Sequence, residues 1–158
     1  MTKRKLIKIG LMLFAVGVVT AGGVGYYMFN MPHRDVQATK VDYTTSAHDI
    51  VTEYLSNATA ANEKYLDEEG ESKILLVTGT VSSITEDFNG QKVVLLKLAS
   101  DKAGVNGTFT KETNRHLDNV KVGDEITIKG VIRSGASYDE DLELYENVNL
   151  EKCDIANK

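Results

Sequence analysis

The spacing of hydrophobic positions changes twice along the chain. From Ile9 to Phe29 no charge interrupts the run IGLMLFAVGVVTAGGVGYYMF. Coiled as an α-helix, these 21 residues span about 31 Å, against a hydrocarbon layer of roughly 30 Å. From Ala47 to Tyr65 apolar residues recur every three or four positions (Ala47, Ile50, Val51, Tyr54, Leu55, Ala58, Ala61, Tyr65), which predicts one amphipathic helix over 46–66. Ser46 and Asp49 have capping-box spacing at its start. After residue 72 the pattern becomes that of strands. Ile74–Val81, Lys92–Ala99, Val105–Thr110 and Glu125–Arg133 are the first four; Ile126, Ile128, Gly130 and Ile132 share one face of the fourth. A fifth strand places Leu142, Leu144, Val148 and Leu150 on one face, broken by a bulge or fray at Glu146. Gly79 predicts a bulge or bend. Asn89-Gly90 predicts a hairpin, Gly123-Asp124 a turn, and Thr113–Asn119 a short helix between strands three and four. Three strands, a helix and two strands is the order of the OB-fold, a small five-stranded barrel.

Charge then divides the chain. Lys3, Arg4, Lys5 and Lys8 precede the apolar run without an acid among them. The remainder carries 14 Lys/Arg against 23 Asp/Glu, a net of −9. A basic flank ahead of a span favours a cytoplasmic N-terminus. The expectation is therefore a single-pass protein of the inner membrane: basic tail 1–8, transmembrane anchor 9–29, polar linker 30–45, amphipathic helix 46–66 and OB domain 72–155 in the periplasm. Tyr26 and Tyr27 suit the far interface, and Pro32 suits a helix stop. A cleavable signal peptide has a shorter apolar core, with its small-x-small site after it; here the best small pair, Thr20 and Gly22, lies inside the run.

Three stretches carry a resemblance: NEKYL at Asn62–Leu66, VTGTVSSI at Val77–Ile84 and VGDEITIKG at Val122–Gly130. They resemble the bacterial tRNA-anticodon-like OB domains over about residues 45–155. NMPHRDV at Asn30–Val36 is similar to membrane-anchored members from the Bacteroidetes group. The resemblance implies an OB barrel and, by analogy of fold alone, nucleic-acid binding. It supplies no catalytic residue.

Candidate chemistry is sparse. There is no Gly-rich phosphate loop, G-x-S-x-G, H-E-x-x-H or C-x-x-C, so no enzyme, metal site or cofactor is expected. Glu112 and His116 have ligand-like spacing, and Asp139, Glu140, Asp141 and Glu143 form an acidic run. Neither matches a complete metal motif. Cys153 is the single cysteine; it ends an apolar alternation and reads as a small buried side chain. OB-folds bind between the loops joining strands 1–2 and 4–5. Those loops offer Phe88, Asn89 and Lys92 on one side and Tyr138, Asp139 and Asp141 on the other. Rings among acids do not suit nucleic acid, whose affinity comes largely from cations. The expected function is a non-catalytic binding or scaffolding module with a protein, peptide or glycan partner. A nucleic-acid binder and an enzyme of unrecognised type are the alternatives. Residues 9–29 would contact the lipid bilayer, and Gly17, Ala21 and Gly25, four apart, would let two such helices pack as a homodimer.

Overall fold

The computed structural model describes residues 3–29, 35–68 and 70–156; in the first helix it describes the side chains of Met12 and Phe14–Met28. Two compact units divide at Arg34 and Asp35. The first contains helix α1, Lys3–Phe29. Its Thr20 hydroxyl donates to the Val16 carbonyl one turn back at 2.8 Å. Gly17 and Gly25 have no neighbouring side chain within 4 Å, so the small-residue stripe is open. Among the described residues no helix is long and apolar enough to cross a membrane. The expected stop at Pro32 lies outside the described residues.

The second unit is mostly β. It opens with β1 (Tyr43–Ser46), α2 (Ala47–Ser56) and α3 (Ala58–Tyr65). The strands β2 (Ile74–Glu86), β3 (Lys92–Leu96) and β4 (Val105–Phe109) follow, then a 3₁₀ turn at Asn114–Leu117. The chain ends with β5 (Glu125–Ser134), the short β6 (Ser137–Asp139) and β7 (Leu144–Glu146), and β8 (Val148–Ile155). Around the barrel the order is β2, β3, β4, β8, β5 and back to β2. The β4–β8 ladder is parallel, and the other four are antiparallel. A closed five-stranded barrel with this order is an OB-fold.

Alternation sets which side chains fill it. Val77, Val94, Leu96, Phe109, Ile128 and Leu150 are among the side chains with no exposure at all. Cys153 is also fully buried, and burial pushes its thiol up, away from the reactive thiolate. The register predicted for Glu125–Arg133 holds: Ile128 and Ile132 are buried inside, while Ile126 is only partly covered near the strand's start. Gly79 lies where β2 leaves β5 for β3. A Cβ there would lie 2.9 Å from Ala47 Cβ and 3.0 Å from Leu96 Cβ. Its absence lets α2 settle against the sheet, and the bulge itself falls two residues later, between Val81 and Ser83.

Four expectations are corrected. The single helix over 46–66 is two helices, because Asn57 ends one and caps the next: its N–H donates to the Glu53 carbonyl, and its side chain accepts from Ala60 N at 3.1 Å. Ala58 is therefore exposed, whereas Ala61 and Tyr65 are buried. From Asp35 onward the linker belongs to the folded unit. Val36 packs with Ile74 and Val131 in a small second core, and β1 adds a parallel strand to β2. The helix expected at 113–119 is one 3₁₀ turn, with Leu117 buried beneath it. The fifth barrel strand begins at Val148, not Leu142; Leu142 and Leu144 belong to a separate two-stranded ribbon and are exposed.

Lys129 shows how the linker is fastened. Its ammonium donates to the carbonyls of Gln37 (2.7 Å) and Thr39 (2.6 Å). Gln37 Nε2 in turn donates to the carbonyls of Lys129 (3.2 Å) and Lys152 (2.8 Å). Two adjacent substitutions separate barrel from linker. Ile128→Asp buries an unpaired carboxylate inside the barrel and unfolds the domain. Lys129→Asp releases residues 35–39 and costs on the order of 1–3 kcal/mol, with the barrel intact. Urea titration of the full chain in detergent, followed by circular dichroism, checks both; equal losses would show that the register is wrong.

Candidate functional site

The two loops singled out by OB topology lie at opposite ends of β3. At one end the β2–β3 hairpin is tightly tied. Asp87 Oδ1 accepts from the N–H groups of Asn89 (2.8 Å) and Gln91 (2.9 Å), and Gly90 takes a positive φ of 74°. Asn114 reaches over from the 3₁₀ turn, accepting from Lys92 N and donating to the Gly90 carbonyl. Phe88 is left wholly exposed at the tip, and the Lys92 ammonium pairs with Asp118 at 2.8 Å. At the other end, Gly104 N donates to Asn147 Oδ1, and Val148 N donates to the Gly104 carbonyl. That fixes the root of the β6–β7 ribbon, which carries Tyr138, Asp139 and Asp141, beside the β3–β4 loop. The length of β3, roughly 13 Å at 3.3 Å per step, separates Phe88, Asn89 and Lys92 from Tyr138, Asp139 and Asp141. The sheet face between them presents Val93, Leu95, Asn106 and Thr108, which alternate outward along β3 and β4. None of the four is aromatic or cationic.

Two cavities lie elsewhere, between α2 and the β3–β4 loop. One, of about 220 Å³, has Val51 and Leu55 beside Thr52, Ser56, Ser100 and Lys102. Another, of about 230 Å³, has Ala47 and Gly79 beside Thr80, Lys97, Leu98 and Glu125. His48 and Asp101 line both cavities. The pair meets at 2.9 Å, His48 Nδ1 to Asp101 Oδ1. A carboxylate only accepts, so Nδ1 carries the proton and Nε2 is left for solvent or a ligand. The Asp101 side chain is 4% exposed and that of His48 59%. Burial alone would raise the Asp101 pKa; hydrogen bonds from His48, the Leu98 N–H and Ser100 outweigh it and hold the carboxyl below its usual range. Sequence reading missed this pair because its members are 53 positions apart and neither sits in a motif.

Lys102 links this cleft to the ribbon. Its ammonium lies 5.4 Å from the centre of the Tyr145 ring, which packs on Tyr138 at 4.7 Å. Beneath the ribbon's root, a Cβ on Gly135 would fall 1.9 Å from Cε1 of Tyr54, so only glycine fits. The Tyr54 hydroxyl is buried without a hydrogen-bond partner among the described residues, and burial raises its pKa to about 12.

The other sequence candidates resolve differently. His116 turns to Asp154 at 2.5 Å, and it sits on a four-residue 3₁₀ turn rather than a helix shared with Glu112. In the acidic run, Asp139 Oδ1 accepts from the N–H groups of Asp141 and Leu142, both at 2.9 Å. Among the described residues no group of three or more His, Cys, Asp or Glu side chains is placed to hold a metal ion.

A barrel of this order, with its cleft and ribbon at one end, defines an OB-fold domain. The tRNA-anti-like family model matches residues 1–141, and the chain belongs to that family. No curated protein matches it.

Two outcomes follow from the buried groups. The lowered pKa of Asp101 makes its charge stabilising above the unfolded-state value near 4; that contribution is lost as pH falls through the lower folded value. Asp101→Asn therefore destabilises the domain near neutrality by about 1–2 kcal/mol, and the difference from the parent closes below about pH 4. Urea midpoints measured across pH test it; a gap that persists in acid would show that the loss is not electrostatic. Tyr54→Phe removes a buried hydroxyl that has no partner among the described residues, so it leaves stability unchanged or raises it by about 1 kcal/mol. A clear loss in the same titration would mean that the hydroxyl is satisfied.

Proposed function

We propose that this chain is a membrane-anchored, non-catalytic binding module. Its OB barrel faces the periplasm and takes its partner at the end formed by α2, the β3–β4 loop and the β6–β7 ribbon. The observation that carries the binding reading is the cleft astride His48 and Asp101, which Lys102 joins to an exposed aromatic ribbon. Binding sites in proteins combine apolar walls with a few placed polar groups, and Val51 and Leu55 beside His48, Ser100 and Lys102 fit that description. Anchoring is supported by the 21 uncharged residues Ile9–Phe29 and by the exposure of the apolar side chains described on α1. The basic residues before the run support an N-terminus in the cytoplasm.

Nucleic-acid binding is the second reading, favoured by the family description. The outward positions of β3 and β4 oppose it, because they offer neither the stacking rings nor the cations that single strands require.

Two measurements test these readings together. A phosphatase fused after Lys158 should be active, reporting the periplasmic side; activity of a cytoplasmic reporter in its place would reverse the topology. Fluorescence anisotropy of a labelled oligothymidylate with the full chain in neutral detergent should show no saturation at low salt. Saturable binding with a steep salt slope would establish the nucleic-acid reading instead.

A further inference from the structure

The ribbon β6–β7 stands outside the barrel sheet. Among the described residues its two strands pair only with each other, so both outer edges lack a strand partner there. Unpaired edges present free N–H and C=O groups, to which an extended chain can add. The ribbon also exposes large apolar surface: Tyr138 is 47% exposed, Leu142 66% and Leu144 44%. Tyr138 stands with Tyr145 on one face and Leu144 on the other, so exposed apolar surface is concentrated on this short free-edged ribbon, which marks an interaction surface.

Charge selects the occupant. From Ser134 through Glu151 there are six acids and no Lys or Arg. Glu151 is paired with Arg133, and Glu146 accepts from the Ser137 hydroxyl. Glu140, Asp141 and Glu143 take part in no ion pair among the described residues. The ribbon already holds one cation on an aromatic ring, Lys102 over Tyr145. Tyr138 is the exposed member of that ring pair, and a second ammonium or guanidinium can use it in the same way. An anionic partner would bring like charges together, which costs affinity.

We propose that the β6–β7 ribbon is the docking surface for an extended protein segment that alternates Lys or Arg with apolar residues. In a strand, alternate side chains point to opposite faces. Such a segment sets its apolar residues on Leu142 and Leu144 and its cations against Glu140, Asp141, Glu143 and the Tyr138 ring, while its backbone completes a ribbon edge. This deepens the binding-module reading by naming the partner class, and it does not depend on the membrane topology.

The test uses the full chain in neutral detergent and fluorescent synthetic peptides of alternating Lys and Val, or of alternating Glu and Val. The Lys–Val peptide should bind saturably and weaken with salt, and the Glu–Val peptide should not bind. Leu142→Ser with Leu144→Ser should weaken binding about tenfold. Glu140→Lys with Glu143→Lys should abolish Lys–Val binding and create Glu–Val binding. All four positions are exposed, so circular dichroism should match the parent. Lys–Val binding unchanged by both double variants would overturn the proposal, because the peptide would then sit elsewhere. Absence of Lys–Val binding would also overturn it. If the reporter after Lys158 still reads the periplasmic side, the anchored-module reading survives that failure. Tighter binding of oligothymidylate than of the Lys–Val peptide would defeat both readings in favour of nucleic acid.

Discussion

Strand β2 has to serve three partners, and the rest of the domain depends on how it does so. Its first half, Ile74–Thr80, lies against β5, and within it Leu75–Thr78 also takes β1 on the opposite edge. Its second half, Val81–Glu86, pairs with β3. A strand can fill both edges only if one partner stops where the next begins, and a barrel closes only if the strand bends there. Gly79 and the bulge after Val81 mark that crossing. The same crossing leaves the gap between the end of β1 and the end of β3 in which one of the two cavities forms. The cleft is therefore a consequence of barrel closure.

What surrounds the barrel is held by a few polar fasteners rather than by more core. Lys129 and Gln37 tie the segment before β1 to the barrel wall. Glu53 joins the two short helices: it accepts from Lys64 at 2.8 Å and from the Tyr65 hydroxyl at 2.8 Å, and the Lys64 hydrogen bond holds its carboxyl below the ordinary range. The same ammonium lies over the Tyr43 and Tyr65 rings, which brings β1 into the cluster. His48 and Asp101 then tie α2 to the β3–β4 loop. Lys129 with Gln37 and His48 with Asp101 join segments distant in sequence, while Glu53 and Lys64, both partly exposed, join consecutive helices. They fix the positions of the elements around the barrel.

That division explains what could be read from the sequence. The barrel was legible because burial on one face imposes a period of two, and Ile128 with Ile132 could occupy only one side. The hairpin at Asn89-Gly90 and the cap at Ser46 were legible because each is completed within a few residues. The break at Asn57 was hidden, since Ala58 keeps the apolar spacing while the cap rotates the next helix. Strand β1 was hidden because YTTS is polar and short and owes its conformation to the edge of β2. The fifth strand was misplaced for a related reason. Leu142 and Leu144 continue its alternation in sequence, yet Asn147 anchors Gly104 and breaks the strand before Val148. Contacts such as His48 with Asp101 have no local signature and appear only once the sheet has brought their elements together.

The two ends of the barrel differ in a way that bears on binding. The β2–β3 hairpin has its turn satisfied from within by Asp87 and from outside by Asn114, so its backbone has few groups left to offer. Phe88 projects from it as an isolated ring. At the opposite end the ribbon's two strands, among the described residues, have ladder partners only in each other. Asp139 caps the turn, and Glu143 accepts a left-handed φ of 52° to close it. A left-handed glutamate is less favourable than glycine would be at that position, while it keeps a carboxylate beside the exposed leucines. The family match ends at residue 141, within this ribbon, yet β8 beyond it supplies ladders to both β4 and β5. The barrel's ladders thus use the chain on both sides of the ribbon, whereas the ribbon's own strands pair with none of the barrel strands. Its strands therefore stand outside the register that closes the barrel, while Tyr145 still packs against the core.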